Sequence, residues 1–99
     1  MPEAKHLPPT EKKDLEHALL LLKSFGAKEV YLFGSMARGD IDEYSDWDIA
    51  VRGIPSDKYF TVLGKLLAYM KRNVDLVDLD EDGAFAAHIS KKKEFTRVA

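Results

Sequence analysis

One stretch, Val30 to Val51, leaves this chain few ways to fold. The apolar run Val30-Tyr31-Leu32-Phe33 stops at Gly34-Ser35, and a second run, Trp47 to Val51, opens behind Asp46 with Asp48 inside it. Their β-branched and aromatic residues make both runs strands, and Gly34 permits a tight exit from the first. On a strand, residues two apart share a face, with Cα atoms about 7 Å apart from the rise per residue. Asp46 and Asp48 therefore stand side by side, two like charges that repel unless a cation joins them. Hard oxygen ligands of this kind suit Mg²⁺, which completes its shell with water and substrate phosphates. Standing alone, an Asp-x-Asp is commonly a surface acid pair, and a Gly-Ser a simple capped turn.

The spacing joins the two. Residues 36–45 are all that separates Ser35 from Asp46, so both features fit one cleft. The strand exit offers N–H groups and a hydroxyl to an anion. It is not a P-loop, because Gly39 is followed by Asp40 where that motif needs Lys and then Ser or Thr. Arg38 adds a guanidinium able to clamp a phosphate, the alternative being a solvated loop arginine. Two metals bridged by carboxylates neutralise a leaving pyrophosphate and activate an attacking oxygen. Such chemistry is largely positioning and charge stabilisation, so a small domain suffices for it.

Around this stretch the chain reads as scaffold. Residues 1–9 form a loose lead-in ending at Pro8-Pro9, and Thr10 is the expected N-cap of a helix over Glu11 to Phe25. Leu15, Ala18, Leu19 and Leu22 recur there at helical spacing, and Gly26 fits the C-cap. The first strand is expected over Lys28 to Phe33, buried on both faces, then a short helix or turn over Ser35 to Arg38 and a polar loop over Asp40 to Ser45. After the second strand, Trp47 to Arg52, Ser56 is the expected cap of a helix over Asp57 to Lys71 with Tyr59, Leu63, Leu66, Leu67 and Met70 on its buried stripe. A third strand, Val74 to Leu79, and a final helix, Ala84 to Lys93, complete a two-layer α/β domain. Trp47, between the two aspartates, points to the other face and into the core. His6, His17, His88 and the Lys91-Lys92-Lys93 run read as surface features. Tyr44 reads as a loop tyrosine near the acidic pair.

The bulk numbers narrow the class. A chain of 99 residues, 45% hydrophobic and 32% charged, is one ordinary globular domain. Fifteen basic against seventeen acidic residues give a net charge of -2, unlike a dedicated nucleic-acid binder. The sequence holds no cysteine, which excludes disulfides and thiolate metal sites. It holds no apolar run near the roughly 20 residues of a membrane span and no signal-peptide core at its start, so a cytoplasmic location is the expectation.

Gly34-Ser35-Met36-Ala37-Arg38-Gly39-Asp40 followed by Ser45-Asp46-Trp47-Asp48-Ile49-Ala50-Val51 resembles the signature of the nucleotidyltransferases of the DNA polymerase β superfamily. The resemblance is nearest to the minimal nucleotidyltransferases, or MNT proteins, and covers nearly the whole chain as a single domain. It implies a two-layer fold with a small mixed sheet of three or more strands and helices packed on one face. It implies that Gly34 and Ser35 bind a nucleoside triphosphate, with Arg38 as a phosphate contact or a brace for the loop. Asp46 and Asp48 would hold two Mg²⁺ ions with a third carboxylate from a later strand. Asp75 fits the family's Val-Asp-Leu-Val pattern and Asp78 is the fallback; the third carboxylate shares a metal and acts as base toward the acceptor hydroxyl.

MNT proteins typically pair with a helical HEPN protein, often an RNase toxin, and are linked to AMP transfer onto a tyrosine of that partner. The resemblance thus implies transfer of AMP from ATP to a HEPN partner and an antitoxin role. Two other readings stand beside it: a binding module that neutralises a HEPN partner without catalysis, and the catalytic subunit of an aminoglycoside-type nucleotidyltransferase. The balanced charge does not favour RNA, so nucleic acid is not the expected partner.

Overall fold

The computed structural model describes residues 7–81 and 95–99. Eight elements follow in order: α1 (Pro9–Ser24), β1 (Glu29–Phe33), α2 (Gly34–Arg38), β2 (Trp47–Arg52), a 3₁₀ turn (Ser56–Lys58), α3 (Tyr59–Tyr69), β3 (Val74–Asp78) and β4 (Phe95–Arg97). The strands form one mixed sheet in the order β3-β2-β1-β4. β1 runs antiparallel to both β2 and β4, and β2 runs parallel to β3. The parallel pair needs a crossover, which the 3₁₀ turn and α3 supply.

Strand alternation sorts the side chains. Val30, Leu32, Trp47, Ile49, Val51, Val74 and Leu76 face Leu15, Ala18, Leu19 and Leu22 of α1 and Val62 and Leu66 of α3, forming the main core. This places α1 and α3 on one face of the sheet. The other face carries a smaller cluster of Phe33, Ala50 and Leu79, flanked by Tyr31 and Val77. Trp47 is fully buried as expected, though its indole N–H has no hydrogen-bond partner.

Several expectations shift for local reasons. α1 begins earlier than Thr10 because proline suits the first helical position, where its missing N–H costs nothing; Pro8 is the cap residue and Pro9 opens the helix. Leu7, expected in a loose lead-in, is buried in the core. The helix closes as a Schellman motif, with Gly26 N–H donating to Lys23 O and Ala27 N–H to Leu22 O. Ser56 forms no side-chain cap, and the segment starts as a 3₁₀ turn before α3. The buried stripe of α3 is Val62 and Leu66, extended by Met70 just beyond it, while Leu67 is exposed. Tyr59 and Leu63 flank that stripe rather than form it. β4 was not anticipated; it covers the β1 edge. The expected helix over Ala84 to Lys93, with His6, His88 and the triple lysine, lies outside the described residues. Among the described residues, no helix is long and apolar enough to cross a membrane.

Candidate active site

The geometry is set by one corner of the sheet. β1 ends at Phe33, whose register partner on β2 is Asp48. Asp48 in turn is the register partner of Asp75 on β3. Register partners on neighbouring strands point to the same face, so Asp48 and Asp75 lie side by side on the face opposite α1 and α3. Asp46 precedes β2 by one residue, and buried Trp47 between it and Asp48 fixes the alternation. Asp46 and Asp75 are exposed and Asp48 is half-buried. Asp78 is three residues beyond Asp75 and falls on the other face, where its carboxylate accepts from Asp80 N–H and lines a cavity with Tyr59 and Phe60. The structure therefore brings Asp75, not Asp78, to the pair.

The turn after β1 meets this group directly. Gly34 has φ +64, and a Cβ added there would stand 2.6 Å from Asp48 Oδ2. Only glycine lets the chain turn left-handed and pass this close to a carboxylate. Ser35 follows as the second residue of α2, whose N-cap, Phe33, has no side-chain acceptor for the first-turn N–H groups. Arg38, in the last turn, donates Nε–H to Asp40 Oδ2 at 3.3 Å, an exposed pair that braces the loop leaving α2.

The donors fit a hard divalent cation in kind. All three are carboxylates, and adjacent strands lie about 4.8 Å apart, within reach of two side chains converging on one ion. Among the described residues no three histidine, aspartate or glutamate side chains are already gathered closely enough to enclose one. The fit therefore rests on donor type, strand register and the space at Gly34.

Sequence reasoning missed the residue that grips the loop leading into Asp46. Arg72, between α3 and β3, donates through Nη1 to the carbonyls of Asp42 and Ser45, both at 2.7 Å, and pairs through Nη2 with Glu11 at 3.1 Å. Its partners are 61, 30 and 27 residues away in sequence, so no local pattern marks them. Tyr44 is a loop residue, 82% exposed. His17 lies on the exposed side of α1 with its ring edge-on to Tyr69.

Comparison with known proteins bears on the fold and the family. A solved toxin-antitoxin structure with AMP-PNP is 26% identical over 83% of this chain and 70% of its own, with a TM-score of 0.64. The tri-AMPylated Shewanella oneidensis HEPN toxin in complex with MNT antitoxin gives 22% identity over 88% and 70%, with a TM-score of 0.62. The MntA-HepT toxin-antitoxin complex gives 22% over 87% and 69%, also at 0.62. At such identities the last two establish a shared fold alone. No curated protein matches. The family model described as Polymerase beta, Nucleotidyltransferase matches residues 19–95, from within α1 to the first residue of β4. Since that span is most of the chain, the chain belongs to the polymerase beta nucleotidyltransferase family.

Proposed function

We propose that this protein is an Mg²⁺-dependent nucleotidyltransferase that moves AMP from ATP to a hydroxyl on a HEPN-domain partner and so acts as an antitoxin. The observation that carries the reading is the meeting of Gly34 with Asp48, and of Asp48 with Asp75, at one corner of the sheet. Family membership supports the reaction class. The 26%-identical toxin-antitoxin structure with AMP-PNP supports an adenine nucleotide and a toxin partner. The AMPylated HEPN toxin in the more distant complex suggests the acceptor.

Each residue then has a task. Gly34 lets the backbone approach the triphosphate, and Ser35 offers its N–H and hydroxyl to the phosphate oxygens. Asp46, Asp48 and Asp75 would hold two Mg²⁺ ions, which when bound supply positive charge against the triphosphate and the leaving pyrophosphate. Asp75 takes the proton from the acceptor hydroxyl as its oxygen bonds to the α-phosphorus. The bond between the α-phosphorus and the bridging oxygen breaks, and pyrophosphate leaves with that electron pair. Arg38 can exchange its exposed Asp40 partner for a phosphate.

The test is to purify the chain with a helical partner encoded beside it, add ATP and Mg²⁺, and weigh both proteins intact. Gain of one or more AMP units on the partner supports the proposal. No mass gain on either protein, together with no Mg²⁺-dependent nucleotide binding, refutes it. Neutralisation of the partner by an Asp46→Asn, Asp48→Asn double variant would instead favour a non-catalytic binding module.

A further inference from the structure

We infer that Arg72 is a positioning residue that sets where Asp46 stands, with Glu11 orienting its guanidinium; the inference rests on the reading of Asp46 as a metal ligand. Asp46 lies outside the β2 ladder, which begins at Trp47, so strand pairing alone does not fix it. It is delivered by the loop after α2, and loops of this kind move unless fastened. The loop is first closed on itself. Asp42 N–H donates to Ser45 Oγ at 3.0 Å, Tyr44 N–H to Asp42 Oδ1 at 2.9 Å, and Ser45 N–H to Asp42 O at 3.2 Å.

Arg72 then fastens this closed turn to the body of the protein. One terminal nitrogen, Nη1, holds the carbonyls at both ends of the turn, Asp42 O and Ser45 O. The Ser45 carbonyl belongs to the peptide bond that leads into Asp46, so the grip acts on that residue's own backbone. The other nitrogen, Nη2, is held by Glu11 of α1. The next residue continues the same fastening, with Asn73 O accepting from Trp47 N–H at 2.9 Å. Two residues later the chain reaches Asp75. A single segment, Arg72 to Asp75, thereby ties the loop bearing Asp46 to the strand bearing the third carboxylate.

A guanidinium suits this place and an ammonium does not. Two carbonyls share Nη1 and a carboxylate takes Nη2, a division between two nitrogens that a rigid fork of N–H groups provides and a point charge does not. Both ion-pair partners are largely shielded from solvent, which strengthens charge-assisted hydrogen bonds. Partners that orient metal ligands without touching the metal typically contribute about 10- to 100-fold in metal affinity.

Mn²⁺ binding in the presence of a non-hydrolysable ATP analogue, followed by electron paramagnetic resonance, tests the inference without relying on turnover. The proteins compared are wild type, Arg72→Met, Arg72→Lys, Glu11→Gln and a core variant, Leu66→Ala, with Leu66→Val in its place if that does not fold. Arg72→Met should weaken Mn²⁺ binding about 10- to 100-fold. Arg72→Lys should fall between, and Glu11→Gln, which keeps an acceptor, should stay closer to wild type. The core variant should bind Mn²⁺ as wild type does despite a lower Tm. Wild-type binding by Arg72→Met, or an equal loss in the core variant, overturns the inference. If the Arg72 effect appears while no AMP transfer occurs with any partner, the proposed function fails and the positioning role stands. If wild type itself binds no Mn²⁺ with the nucleotide, both fall.

Discussion

Replacing Gly34 with alanine should separate the role of this turn in folding from its role in chemistry. At φ +64 an L-residue pays roughly 1–2 kcal/mol in left-handed strain. For a domain near 100 residues, 1 kcal/mol moves Tm by about 4–8 °C, so a drop of roughly 4–16 °C is expected. The second effect is steric and local. The new methyl would lie 2.6 Å from Asp48 Oδ2, so the carboxylate must turn away. A displacement of about 1 Å in a reacting constellation costs on the order of 100-fold in rate. Gly53→Ala is the matched control: φ is +103 and a Cβ would meet Gly26 O at 2.8 Å, but no aspartate of the candidate site. Gly64→Ala should act oppositely, because nothing lies within 4 Å and alanine is favoured inside α3 by about 0.5–1 kcal/mol. Thermal unfolding and AMP transfer to a co-purified HEPN partner, read by intact mass, measure both effects. If Gly34→Ala and Gly53→Ala lose stability alike and both retain wild-type transfer, the close approach to Asp48 has no catalytic meaning and the reasoning fails.

Asp46→Asn, Asp48→Asn and Asp75→Asn should each lower transfer at least about 100-fold, since even groups that only orient metal ligands cost 10- to 100-fold. Asp78→Asn should leave it unchanged; a reversed pattern between Asp75 and Asp78 would move the third carboxylate to the other face. Leu66→Ala should destabilise by about 2–5 kcal/mol in chemical denaturation, because this side chain is 1% exposed between α3 and the sheet. Burial, then the charges of Asp75, Asp78 and Glu81, raises the pKa of Tyr59. The hydrogen bond to Glu29, then burial, raises that of Tyr31. A raised tyrosine keeps its proton in the folded state after the unfolded chain has lost it near about pH 10. Their contribution is therefore full below that pH and is lost as pH rises toward the folded values. Denaturation from pH 9 to 11.5 should show this loss, reduced in Tyr59→Phe and Tyr31→Phe; an identical slope in both variants would contradict it. Tyr59→Phe should also cost about 1 kcal/mol at pH 7 by removing its hydroxyl's bond to Leu76 O.

What the sequence made legible was local. β2 matches its expected bounds, Trp47 to Arg52, because an apolar run between Asp46 and Gly53 leaves little freedom. The direction of Trp47 followed from alternation alone. The expected stripe of α3 holds at Leu66 and Met70 but omits Val62 and wrongly includes Leu67, since only the angle of the helix on the sheet decides which neighbours face inward. Asp75 and Asp78 could not be separated physically until β3 was seen in register with β2. β4 is three residues long, too short for periodicity to announce. The pairing of Arg72 with Glu11 left no mark in the sequence because it is tertiary.

The most direct measurement is a crystal structure of the protein with Mn²⁺ and a non-hydrolysable ATP analogue, with the metal located by anomalous scattering. The account predicts Mn²⁺ peaks bounded by Asp46, Asp48 and Asp75, with the triphosphate against Gly34 and Ser35. Metal bound away from these aspartates, or a nucleotide seated on the face of α1 and α3, would contradict it.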